Sequence, residues 1–354
     1  MKPHLGLLLL GILLIALGGF LYYRELKGLE ASFIITGNQT TSIPWEESPG
    51  KVETYNHTYL IEAAFRLKND RDVSVSDIVY VLIPKNMTYQ TSWLISIEPE
   101  PLVLEVDENG NTYAKIRMEM GPNEIRWINA TFKVTMQSYR HSFNPDAALW
   151  PTLDMAKKYT KSTVVWTTEN ETLINLAKKI AGDEENPLKI AKRIAEWIVD
   201  NLVYTVNPNR SRGASHCIAY REGDFYVYGD CTEVADAYIT LARILGIPAR
   251  AAFGMMLEEP EEYYWLNESS RGEGEELLTH WGGHIWPQVY IEPWGWIDVE
   301  MLEGLVARVG DYSWRHIVFG LEEKNFVEEE GAHFCVSMYL ELEHMEFKFT
   351  PVEG

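Results

Sequence analysis

The sequence predicts an α+β protein. An N-terminal transmembrane helix comes first, then an antiparallel β-sandwich, then a mixed core in which helices pack on an antiparallel sheet. Three observations predict this. An uncharged apolar run lies near the start; short alternating segments split by turns fill residues 31–143; beyond residue 169 the hydrophobic period lengthens to that of helices. At 354 residues the chain exceeds one compact core. The expected division is an anchor over 1–24, a sandwich over 31–143, a linker over 144–168, a mixed helix-and-sheet core over 169–304 and a C-terminal extension over 305–354 that completes the core.

Leu5 to Tyr23 is an uncharged run of nineteen residues broken only by glycines. At about 1.5 Å per residue it approaches the ~30 Å of a bilayer interior. Lys2 precedes it and Tyr22-Tyr23-Arg24 follow as an interfacial collar, so it is read as an uncleaved signal anchor rather than a signal peptide. Asn-X-Ser/Thr sequons begin at Asn38, Asn56, Asn86, Asn129, Asn170, Asn209 and Asn267. That is seven of seventeen asparagines, where chance gives about two. Both signs place the globular part on the extracytoplasmic side of the cell membrane, as a glycoprotein. The net charge of −21 excludes nucleic acid as a partner, because phosphate binding needs clustered cations.

Thr58 to Phe65, Ile78 to Ile83, Thr112 to Met118 and Ala130 to Met136 alternate as half-buried strands, and Asp107-Glu108-Asn109-Gly110-Asn111 reads as a turn between two of them. Two amphipathic helices follow. Leu173, Leu176, Ala177 and Ile180 share one face; Ile190, Ile194, Trp197, Ile198 and Leu202 share another, with Pro187 near the start. A third begins at Cys231 and stops at Leu245-Gly246-Ile247-Pro248. Ala249 to Met256, Ile285 to Ile291 and Trp296 to Val299 read as strands, and the acidic segment Glu258 to Glu276 as a solvated loop.

Cys231 is one of three cysteines. Asp230 as N-cap and Glu233 three residues on make a capping box, which puts the thiol at the first helical position. The helix dipole favours a thiolate there, while the two neighbouring carboxylates oppose it. The sulfur shares the apolar stripe of Val234, Ala235, Tyr238 and Leu241, so it faces the sheet. Activation then requires a cation, and His284 at the start of a strand supplies one. Asp298, beyond the turn Glu292-Pro293-Trp294-Gly295, is expected beside His284 on a two-strand meander, orienting the ring.

These blocks resemble the transglutaminase-like superfamily, relatives of papain-like cysteine enzymes. The likeness runs from about Leu173 to Glu300. It is carried by Trp197-Ile198, Val203-Tyr204, Tyr228-Gly229-Asp230-Cys231, Ala242 to Arg250, Gly283-His284-Ile285-Trp286 and Gly295-Trp296-Ile297-Asp298. The resemblance implies Cys231 as nucleophile, His284 as base and acid, and Asp298 as orienting carboxylate. It also implies a thioester formed from a peptide or carboxamide and resolved by water or an amine. The chain departs from the family where Asp-Pro-Thr usually closes the strand: Val299-Glu300 follow Asp298. The family's side-chain oxyanion donor lies upstream of the cysteine, where Tyr204, His216 and Tyr226 are candidates.

The competing function is a noncatalytic surface module that binds a protein or the cell envelope, since the superfamily includes members without turnover. Protein or peptide is the expected substrate, the membrane a partner through the N-terminal helix, and no cofactor or metal is expected. Gly282-Gly283 between His280 and His284 spoil a helical zinc pair. Outside the cytoplasm Cys217 and Cys335 would be free to join as a disulfide.

Overall fold

A computed structural model describes residues 50–207, 211–321 and 333–352. The expected transmembrane helix falls outside these. Among the described residues no helix is long and apolar enough to cross a membrane. The α+β expectation is corrected: the structure is mostly β, 47% strand against 23% helix. The excess strand comes from two places. Two strands run far past the stretches that alternation marks, and the last fifty residues add short strands where little periodicity is visible.

The first part of the chain gives β1 (Gly50–Lys68), β2 (Val75–Ile83), β3 (Gln90–Glu98), β4 (Val103–Val106), β5 (Thr112–Met120) and β6 (Ile125–Phe143). Helices α1 (Leu153–Tyr159), α2 (Glu171–Ala181) and α3 (Pro187–Asp200) follow. Next come β7 (Leu202–Tyr204), α4 (Ala214–Cys217), β8 (Ile218–Arg221), β9 (Asp224–Gly229) and α5 (Cys231–Ile244). Then β10 (Ala249–Met256), β11 (Glu262–Asn267), β12 (Gly283–Ile291) and β13 (Gly295–Glu300) lead to β14 (Arg308–Val309), β15 (Asp311–Tyr312), β16 (His316–Leu321), β17 (Cys335–Val336) and β18 (Glu341–Pro351).

β1 and β6 pair antiparallel along their whole length. Tyr59, Ile61, Ala63, Phe65 and Leu67 alternate inward on β1, as a half-buried strand requires. Their sheet has the order β11-β18-β1-β6-β15, with β3 also on β6; the second sheet is β17-β2-β5-β4. One hydrophobic cluster runs from these sheets into the third, β14-β13-β12-β10-β16. The region 305–354 is divided between them. β14 and β16 extend the third sheet, while β15, β17 and β18 join the first two.

The acidic segment differs from its expectation. It contains β11, which pairs with β18 and buries Tyr264 and Leu266. The glutamates flank an alternating Tyr264-Trp265-Leu266 core. Side chains cap the helices as read: Asn170 accepts from the Thr172 and Leu173 amides, and Asn186 from Lys189 ahead of Pro187. Helix α5 lies against β12, β10 and β9 and against α2 and α3. It is thereby clamped between the helical layer and the third sheet, with its N-terminus aimed at the start of β12.

Candidate active site

The capping box read from the sequence is present. Asp230 accepts from the Thr232 amide, and Glu233 Oε2 accepts from the Asp230 amide at 2.9 Å. Gly229 makes this possible. Its φ is +155°, and a Cβ there would collide with the Glu233 side chain that closes the box. Cys231 is therefore held at the first position of α5, half-buried and packed against the core.

Its surroundings favour the neutral thiol. Burial pushes the thiol up, and the Asp230 and Glu233 carboxylates push the same way. The Ile285 amide and the Thr232 hydroxyl, both donating to the sulfur, pull against them. The Ile285 contact also locates the sulfur: it meets β12 one residue from His284. The capping carboxylates thus fix the helix and do not favour the thiolate.

His284 is buried, and its Nε2 lies 2.9 Å from Glu300 Oε2. A ring that donates from Nε2 to a carboxylate leaves Nδ1 as the basic nitrogen for the cysteine side. Glu300 is itself tightly held. Its Oε1 accepts the amides of Met301, Leu302 and Glu303, and its Oε2 also receives His316 Nε2 at 3.0 Å. Burial alone would push this carboxyl up. The His284 and His316 imidazoles and their hydrogen bonds overcome it and hold Glu300 well below the usual carboxylate range.

This arrangement corrects the expected orienting carboxylate. Asp298 does not meet His284. The β12–β13 register places Asp298 opposite Gln288, four residues along β12 from His284, or about 13 Å at strand rise. Asp298 instead accepts from the Trp286 indole at 2.8 Å, from Gln288 Nε2 at 2.7 Å and from the Tyr139 hydroxyl at 2.6 Å. The Trp286 ring stacks on His284 at 5.6 Å, so Asp298 anchors the plate against which the imidazole lies. Sequence reasoning missed Glu300, although a signal for it exists. Counting outward from the turn pairs Trp286 with position 300, and Glu300 shares a strand face with Asp298.

Among the oxyanion candidates, Tyr204 stands beside Cys231. It pairs with Gly229 across β7 and β9, and its hydroxyl is pushed up to about 12 by burial and by Asp230, Cys231 and Glu275. Tyr226 packs toward Tyr228, and His216 is exposed on α4. Cys217 and Cys335, left open as a disulfide pair, are not joined to each other: Cys217 lies beneath α5 with its thiol donating to the Glu233 carbonyl, and Cys335 sits on β17 opposite Val81. His280 stacks on Trp265 and bonds Glu273, so it forms no pair with His284. Among the described residues His284, Glu300 and His316 are the group whose ligand atoms lie within 4.8 Å of one another, close enough to hold a metal.

Residues 174–301 match the family model of the transglutaminase-like superfamily. They form a transglutaminase-like domain. This domain spans α2 to β13 and contains Cys231, His284 and Glu300. An uncharacterized protein from Haemophilus influenzae is 29% identical over 172 residues, which cover 46% of this chain and 41% of that protein. The chain therefore spans less than half of that relative. A crystal structure from Cytophaga hutchinsonii, provisionally named a cysteine protease, superposes with a TM-score of 0.55 at 14% identity, over 86% of this chain and 94% of that one. That likeness extends the shared fold beyond residues 174–301 into the strands that precede them. The periplasmic domain of TgpA from Pseudomonas aeruginosa, bound to ethylmercury, reaches a TM-score of 0.33 at 13% identity, over 69% and 88% of the two chains.

The Glu300 geometry carries a pH signature. A carboxyl held below its unfolded value stabilises the fold fully above about pH 4.3, and that contribution is lost as pH falls toward the folded value. Unfolding midpoints measured on acidification are expected to fall more steeply for the wild type than for Glu300→Gln, which cannot titrate.

Proposed function

We propose that the protein is a cysteine enzyme acting on peptide or carboxamide bonds through a thioester on Cys231. The observation that supports it most is His284, fixed through Nε2 by Glu300 at the point where Cys231 meets β12. In this reaction Nδ1 of His284 takes the thiol proton as sulfur attacks the carbonyl carbon. The carbonyl oxygen becomes an oxyanion beside the Cys231 amide and the Tyr204 hydroxyl. Collapse expels the amine, which leaves with the proton held on His284. Water or a second amine then attacks the thioester, gives its proton to Nδ1 and releases the product, and the sulfur regains its proton.

Protein or peptide is the proposed substrate. The sequons, of which Asn56 and Asn129 are exposed, favour a site of action outside the cytoplasm. Incubating the full chain with a peptide library, with and without a primary amine, tests the activity by product mass. Hydrolysed or amine-bearing products are expected from the wild type and none from Cys231→Ala. Unchanged peptides in every arm would leave only a binding role.

A further inference from the structure

His316 has no counterpart in a three-residue catalytic arrangement, yet it occupies the same carboxylate oxygen as His284. It arrives from β16, two strands from β12 across β10. β16 reaches this position through a bulge in its pairing with β10, at Gly254, where a Cβ would strike the Ile317 carbonyl. Its ring is buried and fully engaged. Nε2 faces Glu300 at 3.0 Å and Nδ1 faces the Ser313 hydroxyl at 3.0 Å, while the Tyr312 hydroxyl donates to its carbonyl. Trp286 meets His316 edge-on at 5.0 Å and His284 in a stack, so one indole spaces both rings. Because Nε2 must donate to the carboxylate, the neutral ring accepts from Ser313 at Nδ1.

We propose that His316 is a positioning residue for the Cys231 chemistry: by donating to the oxygen of Glu300 that also receives His284, it fixes that oxygen and with it the catalytic ring. The proposal rests on the reading of Cys231 and His284 given above. Without His316, Oε2 of Glu300 keeps His284 as its one ring partner and loses the second donor that fixes its position, so the ring beside Cys231 is held less firmly. The groups facing His316 that bear on this are Glu300 from β13 and His284 from β12. On β10 the partner of His316 is the apolar Met256. The Arg315 guanidinium is directed to the Leu257 carbonyl and Glu303 instead.

Alkylation of Cys231 tests this without needing a substrate. The full chain is treated with iodoacetamide from about pH 5 to about pH 9, across the histidine range, and the cysteine peptides are read by mass. His316→Leu is expected to slow labelling roughly tenfold across that range, by loss of a hydrogen bond to a charged group. His316→Gln keeps an N–H donor and is expected to restore the rate. A His316→Leu profile superimposable on wild type overturns the proposal, as does a His316→Gln variant as impaired as His316→Leu. Wild-type Cys231 reacting no faster than an unstructured thiol instead defeats the catalytic reading, and the histidine pairing is then judged alone. Ring-nitrogen NMR of the wild type and His316→Gln gives that judgement, and also decides if His316→Leu does not fold. Two protected Nε2 protons are expected in the wild type and one in His316→Gln; a single protected ring proton in the wild type overturns the shared-oxygen arrangement.

Discussion

Replacing Glu300 by glutamine is expected to lower kcat/KM for acyl transfer by about three to four orders of magnitude, the scale seen when a triad carboxylate becomes an amide. Glutamine keeps an oxygen for the amides of Met301, Leu302 and Glu303. It then presents an NH2 group where His284 and His316 both donate. Two donors facing a donor force His284 to carry its proton on Nδ1, the nitrogen that must receive the cysteine proton. The fold is retained and the base is lost. Asp298→Asn is the contrast. Its partners are the Trp286 indole, Gln288 and Tyr139, so its loss is expected to cost about 1–3 kcal/mol in stability and to lower activity by no more than about tenfold through a looser Trp286 plate. Parallel kinetics and denaturant melts of the two variants check this, and equal losses of activity would contradict it.

Phe347→Ala is expected to destabilise the protein by about 3–5 kcal/mol, the usual cost of emptying a large buried site. Phe347 lies on β18 with no exposed surface and packs edge-on against Phe65 at 5.7 Å and Phe319 at 5.7 Å. Those rings come from β1 and β16, so one side chain joins the first sheet to the sheet that carries His316. A lowered denaturant midpoint with an unchanged slope is the expected readout. A shift below about 1 kcal/mol would show that the site collapses around the gap or that the strand contributes little.

Much of this arrangement was legible in the sequence because it rests on local rules. The capping box needs only Asp230 and Glu233 at fixed spacing, and the stop at Leu245-Gly246 only a glycine that tolerates positive φ. The strands β1, β2, β5 and β6 announced themselves by alternation against a half-buried face. What was missed is non-local. β18 pairs with β1 across nearly the whole chain, and β11 pairs with β18, a partner that the short Tyr264-Trp265-Leu266 alternation does not specify. The carboxylate was missed for a different reason. Asp298 and Glu300 lie on one face of one strand, and only the hairpin register separates the residue that meets His284 from the one that meets Gln288. His316 was invisible because its strand reaches the site through the β10–β16 pairing, which the sequence does not mark.

The central claim is that His284, held by Glu300, makes Cys231 a nucleophile that carries an acyl group. Acid quenching after mixing with an activated acyl ester, followed by mass mapping of the cysteine peptides, tests it most directly. The account predicts an acyl group on Cys231 that forms and then disappears with time in the wild type, and that forms at least about a hundredfold more slowly in His284→Ala. Cys217 and Cys335, both buried, are expected to stay unmodified. Acylation of Cys231 at the same rate in wild type and His284→Ala would contradict the account.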